Sequence, residues 1–106
     1  MKRIEVTIDP AELDEVRETL AEAGALGMTV LEVRGFDRRR TSRRVYFGSA
    51  YAEDSALKLK ITVVVVDDCA PAILEALERS GRPVSATQIV EAVRIRTDER
   101  GDDALA

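Results

Sequence analysis

Three observations predict an α+β fold for this chain of 106 residues. A strand–helix–strand pattern occurs twice. Each helix opens beside an Asp and a Pro and stops at a Gly, and the apolar spacing alternates between two residues and about 3.6. The first strand is RIEVTI, residues 3–8, with Ile4, Val6 and Ile8 on one side. Asp9 then suits an N-cap, Pro10 the first helical position and Glu12 the far end of a capping box. Leu13, Val16, Leu20 and Ala23 follow at helical spacing, and Gly24 supplies a left-handed stop.

Residues 28–34, MTVLEVR, read as a second strand. The stretch LKLKITVVVV, residues 57–66, is the clearest strand of all, with Leu57, Leu59, Ile61, Val63 and Val65 on one side. Asp67 or Asp68 then caps a second helix, Pro71 falls in its first turn, and Ala70, Ile73 and Leu77 form its buried stripe. Gly81 ends that helix, and residues 84–96, ending VRIR, read as the last strand. A doubled βαβ of this length is most simply one domain, residues 1–106, folded as a ferredoxin-like βαββαβ sandwich: two helices on one face of a four-stranded antiparallel sheet. The other face is left bare. Thr29, Leu31, Val33, Thr62 and Val64 fall along it and are too apolar to favour full solvation, so the sequence predicts a homo-oligomer whose sheets pack together.

Composition narrows the chemistry. The chain has no histidine and no tryptophan. That excludes Ser-His-Asp and Cys-His triads and every histidine-containing zinc site, and it weighs against proton-transfer catalysis at neutral pH. The acids Asp67 and Asp68 read better as a helix cap than as a catalytic pair. The single cysteine, Cys69, cannot form an internal disulfide and suits a small buried side chain in a reducing cytoplasm. No apolar run approaches the roughly 20 residues of a membrane helix. An RNA-binding module on the same scaffold needs aromatics on its sheet, whereas Phe36, Tyr46, Phe47 and Tyr51 lie in or beside the segment after the second strand. No nucleic-acid partner is therefore expected.

That segment, GFDRRRTSRRVYFGSAYAED at residues 35–54, is the anomaly. The net charge is −4, yet six arginines face one acid between Arg34 and Arg44, which leaves 10 basic and 19 acidic residues elsewhere. A basic loop on an acidic body seeks a local anion or an acidic partner.

In this order and spacing, MKRIEVTIDPAELDEVRETLAEAGALGMTVLEVRGF, GSAY before LKLKI, and RIRTDERGDDALA resemble the P-II signal-transduction proteins over nearly the whole chain. The resemblance implies a non-enzymatic regulator, a compact homotrimer of ferredoxin-like subunits with ADP, AMP or ATP held in the clefts between them as regulatory ligands. No catalytic cofactor and no metal site is expected. A long T-loop, residues 37–55 here, docks on a transporter, enzyme or regulator in that family. Carried over, Gly27, Met28, Thr29 and Val64 approach the adenine. Gly35, Phe36, Asp37 and Arg38 form the loop base beside the phosphates, with Gly81 and Arg82 in the second loop and Arg94 and Arg96 on the last strand. Two arginines two apart on a strand share a face, so Arg94 and Arg96 are expected to grip one polyphosphate together. Lys58 matches a lysine that helps hold an oxoacid, and Tyr51 matches a tyrosine that some members have uridylylated.

The sequence departs from that family at three places. Asp37 replaces a glycine. Arg39 replaces a glutamine that helps ligate magnesium, and an arginine has no lone pair to offer a cation. The B-loop is shortened to SGRPV at residues 80–84, where Pro83 supplies no N–H for phosphate. ADP or AMP is therefore expected to bind at least as well as ATP. Arg39, Arg40 and Lys58 become candidates for a small anion such as bicarbonate. A structural or metal-handling trimer on the same scaffold is the alternative.

Overall fold

The computed structural model describes the backbone of residues 1–36, 44–46, 49–51 and 55–105, and the side chains of residues 1–36 and 56–105. Its main sheet has four strands: β1 (Lys2–Ile8), β2 (Thr29–Phe36), β5 (Ser55–Val65) and β6 (Val84–Gln88). They lie in the order β2-β5-β1-β6, each pair antiparallel. Helices α1 (Leu13–Glu22) and α2 (Ala70–Glu78) connect β1 to β2 and β5 to β6. This is the ferredoxin-like order that the doubled pattern predicts.

The core sits between the helices and one face of the sheet. Ile4, Val6 and Ile8 of β1 are buried with Leu59, Ile61, Val63 and Val65 of β5. Val16 and Leu20 reach them from α1, and Ala70, Ile73 and Leu77 from α2. Both stripes match the helical spacing in the sequence. Leu57 does not join them; it is half exposed, because β5 runs on past the helices that cover its middle. Gly24 and Gly81 stop their helices at positive φ, 101° and 72°, where a side chain would be strained.

The cross-strand pairs put Thr29, Leu31 and Val33 on the face opposite the helices, beside Thr62, Lys60 and Lys58. Leu31 and Val64 are exposed there. The face is less uniformly apolar than expected. Glu5 lies on it between Arg3 and Lys60, with ion-pair distances of 3.3 and 3.1 Å.

Four local expectations need correction. Residues 84–96 do not form one strand. Pairing with β1 ends at Gln88, and Val93–Arg94 (β7) instead pairs with Glu99–Arg100 (β8) in a separate hairpin. Neither Asp67 nor Asp68 caps α2. A short 3-10 turn, Asp67–Cys69, precedes that helix, and Asp67 accepts a hydrogen bond from the N-terminal ammonium at 2.8 Å. Cys69 is only half-buried. Finally, the segment read as a loop contains an antiparallel pair, β3 (Arg44–Tyr46) and β4 (Ser49–Tyr51). Val45, Tyr46 and Tyr51 are strand-preferring residues, but two runs this short escape a periodicity test.

The burial pattern sets a stability expectation. Replacing fully buried Ile73 by Ala removes side-chain contacts at the centre of the core and should cost about 2–5 kcal/mol. Val90→Ala, at a residue 94% exposed, should stay within ~0.5 kcal/mol. Urea midpoints of the two variants measure both.

Candidate functional site

The candidate residues gather at two opposite ends of the β2–β5 pair. Thr29 begins β2 and stands across from Thr62, two residues along β5 from Val64. Gly35 and Phe36 end β2, across from Ala56 and Ser55. Seven residue steps separate Thr29 from Phe36, which at ~3.3 Å per step is about 23 Å.

The Val64 end is apolar. Val64 lines a pocket of about 220 Å³ with Gly24, Leu26, Val65, Val66, Cys69, Asp102 and Leu105. Gly27 and Thr29 lie exposed next to it in sequence, while Met28 packs partly against the core. Arg94 belongs to this end as well. Its guanidinium donates to Glu99 at 3.3 Å and to the Ala104 carbonyl at 3.1 Å, inside the Gly101–Leu105 turn that closes the pocket.

Arg96 does not stand beside Arg94 on a strand. It is exposed in the turn between β7 and β8, closed by the Thr97 N–H donating to the Arg94 carbonyl and by Asp98 at φ 58°. The expected shared face of the two arginines is therefore lost, because side chains alternate regularly only along a strand.

The other end is polar. Ile8 pairs with Leu59, so Asp9, the next residue, falls level with Lys58. Val84 pairs with Val6, which brings the preceding Arg82 to the same end of the sheet. There Lys58 donates to Asp9 Oδ1, and Arg82 donates to Asp9 Oδ2 at 2.7 Å and also to Glu12 Oε1. Glu12 in turn accepts the Asp9 N–H at 3.1 Å, the return half of the expected capping box. Asp9 thus keeps the N-cap position that the sequence predicts, at the head of the Pro10–Glu12 turn leading into α1, and its carboxylate also serves the two cations. Gly35 borders the cluster: a Cβ there would lie 3.1 Å from Lys58 Cγ, tight enough to displace the lysine stem. Gly81 sits exposed beside Arg82.

Asp9 and Glu12 are the site residues that sequence reasoning missed. Their cap pattern is real and absorbed them. Only the register of β1 against β5 reveals that Asp9 ends level with Lys58, and that of β6 against β1 brings in Arg82. Asp37, Arg38, Arg39 and Arg40 lie outside the described residues, as does the side chain of Tyr51 on β4. Among the described residues, no three acidic or thiol side chains converge as a metal site would require, and no helix is long and apolar enough to cross a membrane.

The two flanking cations hold the Asp9 carboxyl well below its usual 3.8, at about 2, with the Lys58 hydrogen bond the larger cause and that of Arg82 next. The Arg82 guanidinium is correspondingly pushed up, chiefly by Asp9. A carboxyl with a depressed folded-state pKa adds stability that is complete above its unfolded value and lost as pH falls toward the folded one. Wild type minus Asp9→Asn, compared by urea midpoint, should be constant from pH 8 to about 5. It should then shrink steadily toward pH 2.

Comparison with known proteins places these features in context. The family described as nitrogen regulatory protein P-II matches residues 1–99. A nitrogen regulatory protein P-II of Cereibacter sphaeroides is 41% identical over 112 residues, covering 99% of this chain and 100% of its own. That of Haemophilus influenzae is 41% identical over 113 residues with the same coverage, and that of Azospirillum brasilense 39% identical over 112 residues, again covering 99% and 100%.

Proposed function

Because this chain belongs to the nitrogen regulatory protein P-II family, we propose that its two clusters are halves of one nucleotide site, closed between neighbouring copies of the chain. Proteins of this family are regulatory signal transducers, not enzymes, and this chain is a regulator of that kind. In this reading three copies associate through their open sheet faces in the cytoplasm. The apolar end of one, with Gly27, Met28, Thr29 and Val64, receives the adenine ring. Arg94 and Arg96 stand near it. The polar end of the next, with Gly35, Phe36, Asp37, Arg38, Gly81 and Arg82, receives the phosphates.

One observation carries this: Thr29 and Phe36, the outermost members of the two sets, lie about 23 Å apart along one strand pair, too far for a single chain to close both on one ligand. The pocket of about 220 Å³ at the Val64 end supports it, because it is smaller than the roughly 300–1,000 Å³ of a complete small-molecule site. The shortened loop at residues 80–84 offers few phosphate donors. ADP or AMP is therefore the favoured ligand, and ATP gains little from its third phosphate. Residues 37–55 report the bound state to a target protein, and Arg39, Arg40 and Lys58 receive a small anion such as bicarbonate. Tyr51, in the same segment, is a candidate for covalent nucleotidylation or for contact with the target protein.

Thermal melting with AMP, ADP and ATP, with and without magnesium, is the direct check. A ligand at a hundredfold excess over its Kd adds about 2.7 kcal/mol to the native state. ADP should raise the melting temperature at least as far as ATP, with little dependence on magnesium. Stabilisation by no adenylate at millimolar concentration contradicts the assignment. Substituting both Arg39 and Arg40 by Ala should abolish any bicarbonate effect on nucleotide affinity.

A further inference from the structure

We propose that Asp9 is a built-in competitor for the anion-holding cations of the polar end, a carboxylate of the chain itself that a charged ligand must displace from Lys58, assigned above to the small anion, and from Arg82, assigned to the phosphates. The inference rests on the nucleotide site described above and assigns what sets its charge selectivity.

The geometry is that of an occupied anion site. One carboxylate is bracketed by two cations from different elements, Lys58 within β5 on Oδ1 and Arg82, two residues ahead of β6, on Oδ2. A phosphate or carboxylate ligand would take the same donors. Glu12 holds a second hydrogen bond from Arg82 and receives the Asp9 N–H, so the competing carboxylate is braced from behind. The group of Asp9, Glu12, Lys58 and Arg82 is formally neutral without any ligand. Each added phosphate charge therefore meets a compensated cluster in place of the net charge of about +1 that Lys58, Arg82 and Glu12 would carry without the Asp9 carboxylate.

Two consequences follow from electrostatics. The penalty for a ligand should grow with the charge that it brings to this end, so AMP is affected least and ATP or pyrophosphate most. The cluster is also only partly exposed: the Lys58 and Arg82 side chains are 19% and 28% accessible. Screening by salt should weaken the discrimination without removing it.

Asp9→Asn tests this, since an amide keeps the size of the side chain and removes its charge. Calorimetry with pyrophosphate, AMP, ADP and ATP should show affinity for pyrophosphate and ATP rising on the order of tenfold, with AMP nearly unchanged. Adding Lys58→Ala to Asp9→Asn should cancel the gain. An Asp9→Asn variant that melts cooperatively but binds pyrophosphate and ATP no better than wild type overturns the proposal, as does a uniform loss for all the nucleotides, which marks a merely structural residue. If pyrophosphate affinity rises but no adenylate binds either protein, the competitor stands and the nucleotide reading fails. If adenylates bind both proteins equally, the reverse holds. Should the variant not fold, a structure of the wild-type protein with pyrophosphate decides. Phosphate oxygens should replace Asp9 on Lys58 or Arg82, and an undisturbed Asp9 beside bound pyrophosphate refutes the idea.

Discussion

Strand β5 is hydrogen-bonded along both edges, to β1 through seven residue pairs and to β2 through eight. Its alternation decides both the core and the site. Leu59, Ile61, Val63 and Val65 are buried under the helices, while Lys58, Lys60, Thr62 and Val64 occupy the opposite face. A slip of one residue would push the lysines into the core and turn the core residues outward, so the register is strongly fixed. That same register sets Lys58 level with Asp9 and leaves Val64 beside the pocket at the far end. Core packing and site geometry are therefore one constraint, and a change in either is felt in the other.

Much of this was legible in the sequence because it depends on local pattern. Ile4, Val6 and Ile8, the stripe of Ala70, Ile73 and Leu77, and the stops at Gly24 and Gly81 all follow from spacing and backbone preference, and the structure buries or bends them accordingly. The failures were of a different kind. The run from Val84 to Arg96 has strand-like residues throughout, but its ladder with β1 ends at the Lys2–Gln88 pair, and Val93–Arg94 pairs with Glu99–Arg100. Asp67 has the chemistry of a cap, yet the N-terminal ammonium arrives from 66 residues away and claims its carboxylate. In the first case a local hairpin took over the strand, and in the second a distant neighbour outcompeted the local preference.

The site divides along the same line. Family resemblance picked out Lys58, Arg82, Gly35 and Val64 individually, and sequence spacing had nothing to say about which of them meet. The structure joins Lys58 and Arg82 through Asp9 and sets Val64 and Arg94 apart at the other end. Asp9 stayed hidden because Asp-Pro-Ala-Glu is a sound helix start, and its second role needs β1, β5 and β6 assembled. An acidic residue one step beyond a strand end, level with a lysine on the neighbouring strand, is the pattern that would have exposed it.

The central claim is that each nucleotide site draws its two halves from two copies of the chain. Mixing two damaged chains tests it most directly: Thr29→Arg at the apolar end and Arg38→Glu at the polar end, unfolded and refolded together in equal amounts. Neither variant alone should bind ADP. In the mixture roughly one site in four pairs two undamaged halves across a head-to-tail interface, so calorimetry should recover ADP binding at about a quarter of the wild-type stoichiometry. A mixture that binds no more ADP than its parents, while forming assemblies of wild-type size, would contradict the account.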